Sequence, residues 1–214
     1  MKIPKDCNDI WLTSDTHIGH RNICKGISEW PNKEFCRNFN NTEEMFDVIV
    51  NNFNKVIPSN GYLIHLGDLN FGNPNNGYDF LQSLNCKNII LIRGNHDAKH
   101  HYKNNPIVTN GYNNDLKKNM FFSDMFLEDC LYKEIFYQKT RICMFHYPLA
   151  SWNEMSKGSI HLHGHTHRTL KDKYFNGGKS MDIGVDGNNM MPYHIDEIMN
   201  IMKDKPIKTE GHHI

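Results

Sequence analysis

Alanine is nearly missing from this chain of 214 residues: only Ala98 and Ala150 occur, whereas asparagine is abundant. That bias reads as the mark of an AT-rich genome and carries no functional message. Net charge is missing too. Lys+Arg and Asp+Glu stand at 24 each, so the chain lacks the broad positive field that collects polynucleotides; at most a local basic patch remains. Paired cysteines are absent: Cys7, Cys24, Cys36, Cys86, Cys130 and Cys143 are scattered without a CxxC. This excludes zinc-finger spacing and a disulfide-dense scaffold, and fits reduced thiols. No apolar run approaches the ~20 residues of a membrane span. The opening MKIPKDCNDIWLTSD meets charge before any run of signal-peptide length. A cytoplasmic protein with no membrane partner is expected, in a host cytoplasm if the gene is carried by a phage.

What is present suffices for a core, with 38% hydrophobic and 11% aromatic residues. No internal repeat or linker-like stretch interrupts it, so residues 1–214 read as one domain. DIWLTS (9–14) is a strand candidate. NNTEEMFDVIVNNFNKVIP reads as a helix capped by Asn41 with Glu44, apolar at Met45, Ile49, Phe53 and Val56/Ile57, and stopped by Pro58. GYLIHLGD (61–68) is a second strand, GYDFLQSL (77–84) a short helix, and NIILIRGNHD a third strand opening into a turn. Strand–helix alternation of this kind predicts a parallel sheet with helices on its faces. The second half is richer in strands, at 131–137, 141–147, 159–164 and 179–185, with a last helix over 195–203. Residues 98–130 are polar and poorly periodic, and are expected to form loops and short helices over one rim.

The chemistry collects where strands end. Asp15 and His17 follow the first strand, Asp68 the second, and Asn95, His96 and Asp97 the third. His146 ends another, and HLHGHTH (161–167) puts four histidines into seven positions. In α/β sheets this edge is where ligand sites form. Imidazole, carboxylate and amide oxygen make a mixed donor set suited to Mn, Fe, Zn or Ni. The candidates are too many for one ion, and two ions with a bridging carboxylate form the usual clamp for in-line displacement at phosphorus.

Asp15-Thr16-His17, Gly67-Asp68, Gly94-Asn95-His96-Asp97, His146 and Gly164-His165-Thr166-His167 together resemble the calcineurin-like metallophosphoesterases, whose pattern is D-x-H, G-D, G-N-H-D/E, H and G-H-x-H. All five blocks are intact between residues 15 and 167. SDTHIGHRNI, HLGDLNFG, FHYPLASW and VDGNNMMPYHIDEI look like the small bacterial and phage branch of predicted phosphoesterases. The resemblance implies an α/β fold in which two mixed β-sheets pack as a sandwich flanked by helices. It implies two divalent metal ions per chain. Asp15, His17, Asp68 and His167 would hold the first and Asp68, Asn95, His146 and His165 the second, with Asp68 bridging. His96 would sit beside the scissile phosphate and neutralise charge or protonate the leaving group, with Asp97 orienting it. The ions would outweigh the charge of Asp15 and Asp68, leaving a net positive site, and would generate hydroxide near neutral pH for in-line attack without a phosphoenzyme.

Within HLHGHTH, His165 and His167 are the expected ligands, turned toward the metals by the freedom of Gly164. His161 and His163 are expected as packed histidines beneath the site, or as orienting partners of the ligands. His65 reads as buried support. His100, His101, His194, His212 and His213 read as surface residues. His20 is a candidate substrate contact. Arg21 and Arg93 are candidate phosphate partners, because a guanidinium fork suits a phosphoryl oxygen pair; Arg93 alternatively ends its strand in a salt bridge. Tyr147 and Trp152 either stack a base or pack a loop. The resulting expectation is a dimetal phosphoester hydrolase with a small phosphoester as its partner, a nucleotide or cyclic nucleotide. The rivals are a nuclease acting on polynucleotides and a non-catalytic metal-binding protein.

Overall fold

Strands β1 (Ile10–Thr13), β2 (Tyr62–His65) and β3 (Asn88–Ile92) are short, apolar and almost wholly buried, the pattern of a sheet covered on both faces. They pair in parallel, with Thr13 beside His65 and His65 beside Leu91. The computed structural model describes residues 7–97, 122–167, 169 and 178–209. Two further strands complete the first sheet. β4 (Glu128–Cys130) adds in parallel to β3, and β9 (Tyr193–His194) runs antiparallel to β1, giving the order β4-β3-β2-β1-β9. The second sheet has the order β5-β6-β7-β8, from β5 (Tyr132–Tyr137), β6 (Thr140–Phe145), β7 (Ile160–His163) and β8 (Ser180–Asp182). Its first pair is antiparallel and the rest parallel. Both sheets are therefore mixed, as expected.

Alternation along the strands sorts the core into two layers. Leu12, Ile64, Leu66, Ile90 and Ile92 meet Ile142, Met144, Ile160, Leu162 and Met181 between the sheets. Leu63, Ile89 and Leu91 point the other way, onto Met45, Ile49, Phe53, Phe80 and Leu81 of two helices. Fully burying side chains of this size is worth roughly 1.5–3 kcal/mol each. The helices are α1 (Thr42–Val56) and α2 (Pro74–Ser83). A third, α3 (Ile195–Lys203), adds Ile195, Ile198 and Met202 to the layer between the sheets.

Asn41 caps α1 by accepting from the Glu44 amide at 2.8 Å. The reciprocal bond reaches one residue further than expected, since Glu44 accepts from the Asn40 amide at 2.6 Å. Helix α2 begins at Pro74, three residues before the predicted start. Asn73 caps it by accepting from Asn75, and Pro74 is pre-organised for a first turn. Gly77 lies inside that helix, not at its edge. Of the rim expected over 98–130, residues 98–121 lie outside the described residues. The remainder forms a 3-10 turn (Phe122–Met125) and the edge strand β4.

This topology decides where the site is. Parallel, in-register β1, β2 and β3 open their C-terminal ends at one edge, and β6 and β7 do the same in the second sheet. A bridge between Ser14 and Gly184, and a bond from the Gly164 amide to the His146 carbonyl at 2.9 Å, tie that edge together.

Candidate metal centre

Beyond the strands, the loops after β1 and β2 continue side by side. Asp15 donates its amide to the Gly67 carbonyl, His17 to Asp68 and Ile18 to Leu69, each at 3.0 Å. The loops carry their side chains through unusual backbone. Asp15, His17, Asp68, His165 and His167 all have positive φ, at 57°, 49°, 53°, 69° and 46°. Left-handed backbone is uncommon outside glycine and is maintained only where the surroundings over-determine it. Five such residues converge on one spot. The adjacent glycines supply room. A methyl group at Gly94 would collide with Asp68 Oδ1 and crowd the His146 ring, and one at Gly164 would collide with Ser14 Oγ and Asp15 Oδ2. This corrects the role expected of Gly164. His165 itself takes the left-handed turn, while Gly164 allows the chain to pass against Asp15.

Three overlapping groups of donor atoms result: Asp15, His17 and His167; His17, Asp68 and His96; Asp68, His146 and His165. Within each, the atoms lie within 4.8 Å of one another. In the first, Asp15 Oδ1 stands 3.8 Å from His17 Nε2 and 3.9 Å from His167 Nε2, and those two nitrogens are 3.2 Å apart. Asp68 Oδ2 is the shared atom. It lies 3.7 Å from His17 Nε2, 3.8 Å from His96 Nε2 and 3.5 Å from His146 Nε2. Asn95 Oδ1 is 3.1 Å from the same His146 nitrogen.

The partners behind these rings set which nitrogen is free. His146 Nδ1 donates to the Leu66 carbonyl at 2.7 Å, and His167 Nδ1 to Asp186 Oδ2 at 2.6 Å. Each therefore turns an Nε2 lone pair inward, toward carboxylate and amide oxygens that are also acceptors. Asp15 Oδ1 is buried with no hydrogen-bond partner among the described residues, while its Oδ2 accepts the His165 amide at 2.9 Å. Acceptors facing acceptors are unfavourable unless a cation lies among them. The donor set fits divalent ions of the N/O-preferring kind. Electrostatics agree. Burial opposes charge on His146 and His167, yet Asp68, Asp15 and Asp186 raise both rings above the ordinary histidine value. Burial also opposes ionisation of Asp68, but His146 and His17 hold its carboxyl below the usual range. Asp15, dominated by burial, is pushed up to about 6.

The expected metal residues Asp15, His17, Asp68, Asn95, His146, His165 and His167 are thus brought together. His96 stands beside them, about a third exposed, with its ring 5.4 Å from that of His17. Asp97 is placed differently from the role expected of it. Its carboxylate accepts the amides of Asp68 at 2.6 Å, Gly94 at 2.8 Å and Leu69 at 3.1 Å, stapling the two turns that carry candidate ligands, and none of its hydrogen bonds among the described residues goes to the His96 ring. His20 lies next to His17, with ring centroids 5.7 Å apart. Arg21 is exposed at the start of a 3-10 turn (Arg21–Ile23). Arg93 ends its strand in an ion pair with Asp129 at 2.9 Å.

Tyr147 is partly exposed, its ring 4.9 Å from His146 and 4.7 Å from His165, at the rim of the second group. Trp152 is not there: it is buried, donates Nε1 to the Ser159 carbonyl at 3.2 Å and packs on His161, so it holds a loop and offers no free face. His161 is buried in β7. Its Nδ1 donates to the Cys143 carbonyl and its Nε2 accepts the Leu149 amide, as a packed histidine beneath the site. His163, also buried, bonds the Gly164 carbonyl. His65 accepts the Gly67 amide and meets the Thr16 hydroxyl at 3.0 Å, as expected of buried support. His194 caps α3. His100, His101, His212 and His213 lie outside the described residues.

Sequence reasoning missed Arg37 and Asp186. Arg37 is buried, donates to the Asp15 and Thr16 carbonyls, and forms a two-point pair with Asp186, which in turn holds His167. Asp186 carried one usable signal: it comes soon after a strand and a glycine, as Asp68 does, although Val185 stands between it and Gly184. Arg37 carried none, because its partner is 149 residues away. Phe71 and Trp30, beside His20, were missed as well.

Two mixed sheets and a convergent Asp/His/Asn set at their common edge define a metal-binding α/β protein. The family model for calcineurin-like phosphoesterase matches residues 9–169, and the chain belongs to that family. An uncharacterised protein of Methanocaldococcus jannaschii is 30% identical over 207 residues, covering 94% of this chain and 95% of its own length. A crystal structure of an Aquifex aeolicus protein of unknown function overlays with a TM-score of 0.60 at 23% identity, covering 90% of this chain and 98% of that one. That likeness concerns the fold. No helix among the described residues is long and apolar enough to cross a membrane.

Proposed function

We propose that the protein is a dimetal phosphoester hydrolase acting on small phosphomonoesters or phosphodiesters of the nucleotide or cyclic-nucleotide type. The observation that carries this reading is Asp68 Oδ2, faced by the Nε2 atoms of His17, His96 and His146. One carboxylate oxygen shared between two donor groups suits a pair of neighbouring cations. Asp15, His17, Asp68 and His167 would hold one divalent ion, and Asp68, Asn95, His146 and His165 the other. When bound, the ions supply positive charge for a phosphoryl oxygen and lower the pKa of water toward neutrality. His96, beside Asp68 and accessible to solvent, is positioned to give a proton to the departing ester oxygen. The Asp97 staple fixes the turn from which His96 projects. Water, with no side-chain nucleophile, completes the exchange in this reading. The local matches at SDTHIGHRNI and HLGDLNFG favour the small bacterial and phage branch.

Balanced charge favours a compact substrate over a polynucleotide. Manganese-loaded protein tested on mononucleotides, cyclic nucleotides, short oligonucleotides and aryl phosphate mono- and diesters should turn over small esters, with little inhibition by excess duplex DNA. Faster cleavage of long DNA, falling steeply as salt rises, would replace this reading with a nuclease. Two bound ions without turnover of any ester would make the protein a metal-binding scaffold.

A further inference from the structure

Beside the metal centre, on the His96 side, four rings stand in sequence. Phe71 lies 4.9 Å from His96 and 4.1 Å from His20, and His20 lies 5.6 Å from Trp30, all measured between ring centroids. Two of these rings keep much of their surface open: Phe71 is 36% exposed and Trp30 40%. Exposed aromatic surface grouped beside a polar centre is the usual mark of a ligand face.

The backbone holds the rings in place. Past Asp68 the second loop stays paired with the first, through a bridge between Ile18 and Asn70 and the Phe71 amide donated to the Ile18 carbonyl at 2.9 Å. Asn70 Nδ2 donates to the Asn73 carbonyl at 3.1 Å. Phe71 is thus carried by the same paired loops that carry His17 and Asp68. Trp30 comes from a separate excursion, closed at its base by a bridge between Cys24 and Arg37. Its amide is tied to Ser28 Oγ at 3.2 Å. A core needs neither ring in such a position.

We infer that His20, Phe71 and Trp30 form the subsite for a planar aromatic group on the leaving-group side of the phosphoester, so that the substrates of this centre are esters of nucleosides in preference to sugar or alkyl phosphates. This rests on the hydrolase reading above. The wall meets the metal residues at two points, Phe71 beside His96 and His20 beside His17; the direction follows from the first, since an ester oxygen leaving past His96 carries its substituent onto Phe71. Trp30, further out, suits a base held at the length of a ribose. Stacking accepts any base, because every base offers a π-face. The subsite therefore selects for an aromatic ring and leaves the identity of the base open. Tyr147, on the opposite side against His165, is not part of this wall.

The test compares adenosine 5′-monophosphate with glycerol phosphate on manganese-loaded wild type, Phe71→Ala, Phe71→Tyr and Trp30→Ala. The wild type should prefer the nucleotide in kcat/KM. In Phe71→Ala that preference should shrink about tenfold through KM, the order expected for one stacking contact. Phe71→Tyr should restore it, and Trp30→Ala should reduce it by a smaller factor. Equilibrium dialysis of the same two compounds gives a readout independent of turnover. If no ester is hydrolysed while the nucleotide still binds through Phe71, the hydrolase reading fails and the subsite stands. If wild type turns over and binds both compounds alike, or if Phe71→Ala keeps the preference, the subsite is refuted and the hydrolase reading is untouched.

Discussion

Behind Asp15, His17 and His167 lies a partly buried ion pair; behind Asp68, His146 and His165 lies mostly backbone. Arg37 and Asp186 grip the first group from two directions, through the Asp15 carbonyl and through His167 Nδ1. In the second group His146 leans on the Leu66 carbonyl, and His165 is exposed against Tyr147. A carboxylate behind a ligand histidine fixes its orientation and raises its basicity. The first half is therefore pre-organised and the second more adaptable. Metal should bind in two steps, with the tighter ion in the first half and the exchangeable one beside His165.

The shared carboxylate is the point at which this comparison breaks most severely. Asp68→Asn removes the charge common to both halves and should abolish turnover and weaken both ions, as metal analysis would show. His17→Ala should mainly empty the first half. If Asp68→Asn spares one ion fully, the halves do not share that residue. The next effect in size belongs to His96. His96→Ala should cut turnover by ~10²–10⁴ on esters with poor leaving groups, with metal content intact. The loss should be smaller on an aryl phosphate; equal losses would make the role of His96 charge stabilisation.

The buttress itself is tested by Asp186→Asn. Losing the carboxylate behind His167 should weaken the tighter ion ~10–100-fold, read by calorimetric titration, and leave the weaker ion unchanged. An unchanged first step would show that Arg37 and Asp186 merely hold the fold. The smallest effect concerns the second half. His161, packed behind it, accepts the Leu149 amide three residues past His146. Burial, with help from His163, lowers its pKa from 6.5 to about 4. The unfolded chain thus takes up this proton more readily than the folded one. The contribution of His161 is complete above pH 6.5 and is lost as pH falls toward 4, by about 3 kcal/mol. Urea unfolding of wild type and His161→Gln between pH 7 and 4 should show a shallower acid loss in the variant. Parallel curves would contradict the assignment.

Much of this was legible in the sequence, for a physical reason: parallel strands deliver polar residues at one edge. Asp15, Asp68, Asn95 and His146 announce themselves by following apolar runs. Helix α1 was legible through its cap and its spacing. The parts that escaped depend on distant pairing. Strands β4 and β9 are three and two residues long, too short to carry a period, and exist only through their neighbours. Arg37 and Asp186 acquire meaning only when folding brings them together. Gly164 was recognised as necessary but for the wrong reason, since the collision with Ser14 and Asp15 is invisible along the chain. Trp152 stays open between stacking a base and packing a loop, because sequence shows a ring without showing what covers it.

The central claim is that one oxygen-bearing side chain, Asp68, joins two metal-binding halves. Manganese titration of the metal-free chain followed by electron paramagnetic resonance tests it directly. The account predicts saturation at two ions per chain, with an isolated-ion signal at the first equivalent that gives way to a spin-coupled signal at the second. Saturation at one ion, or two ions with no magnetic coupling, would contradict it.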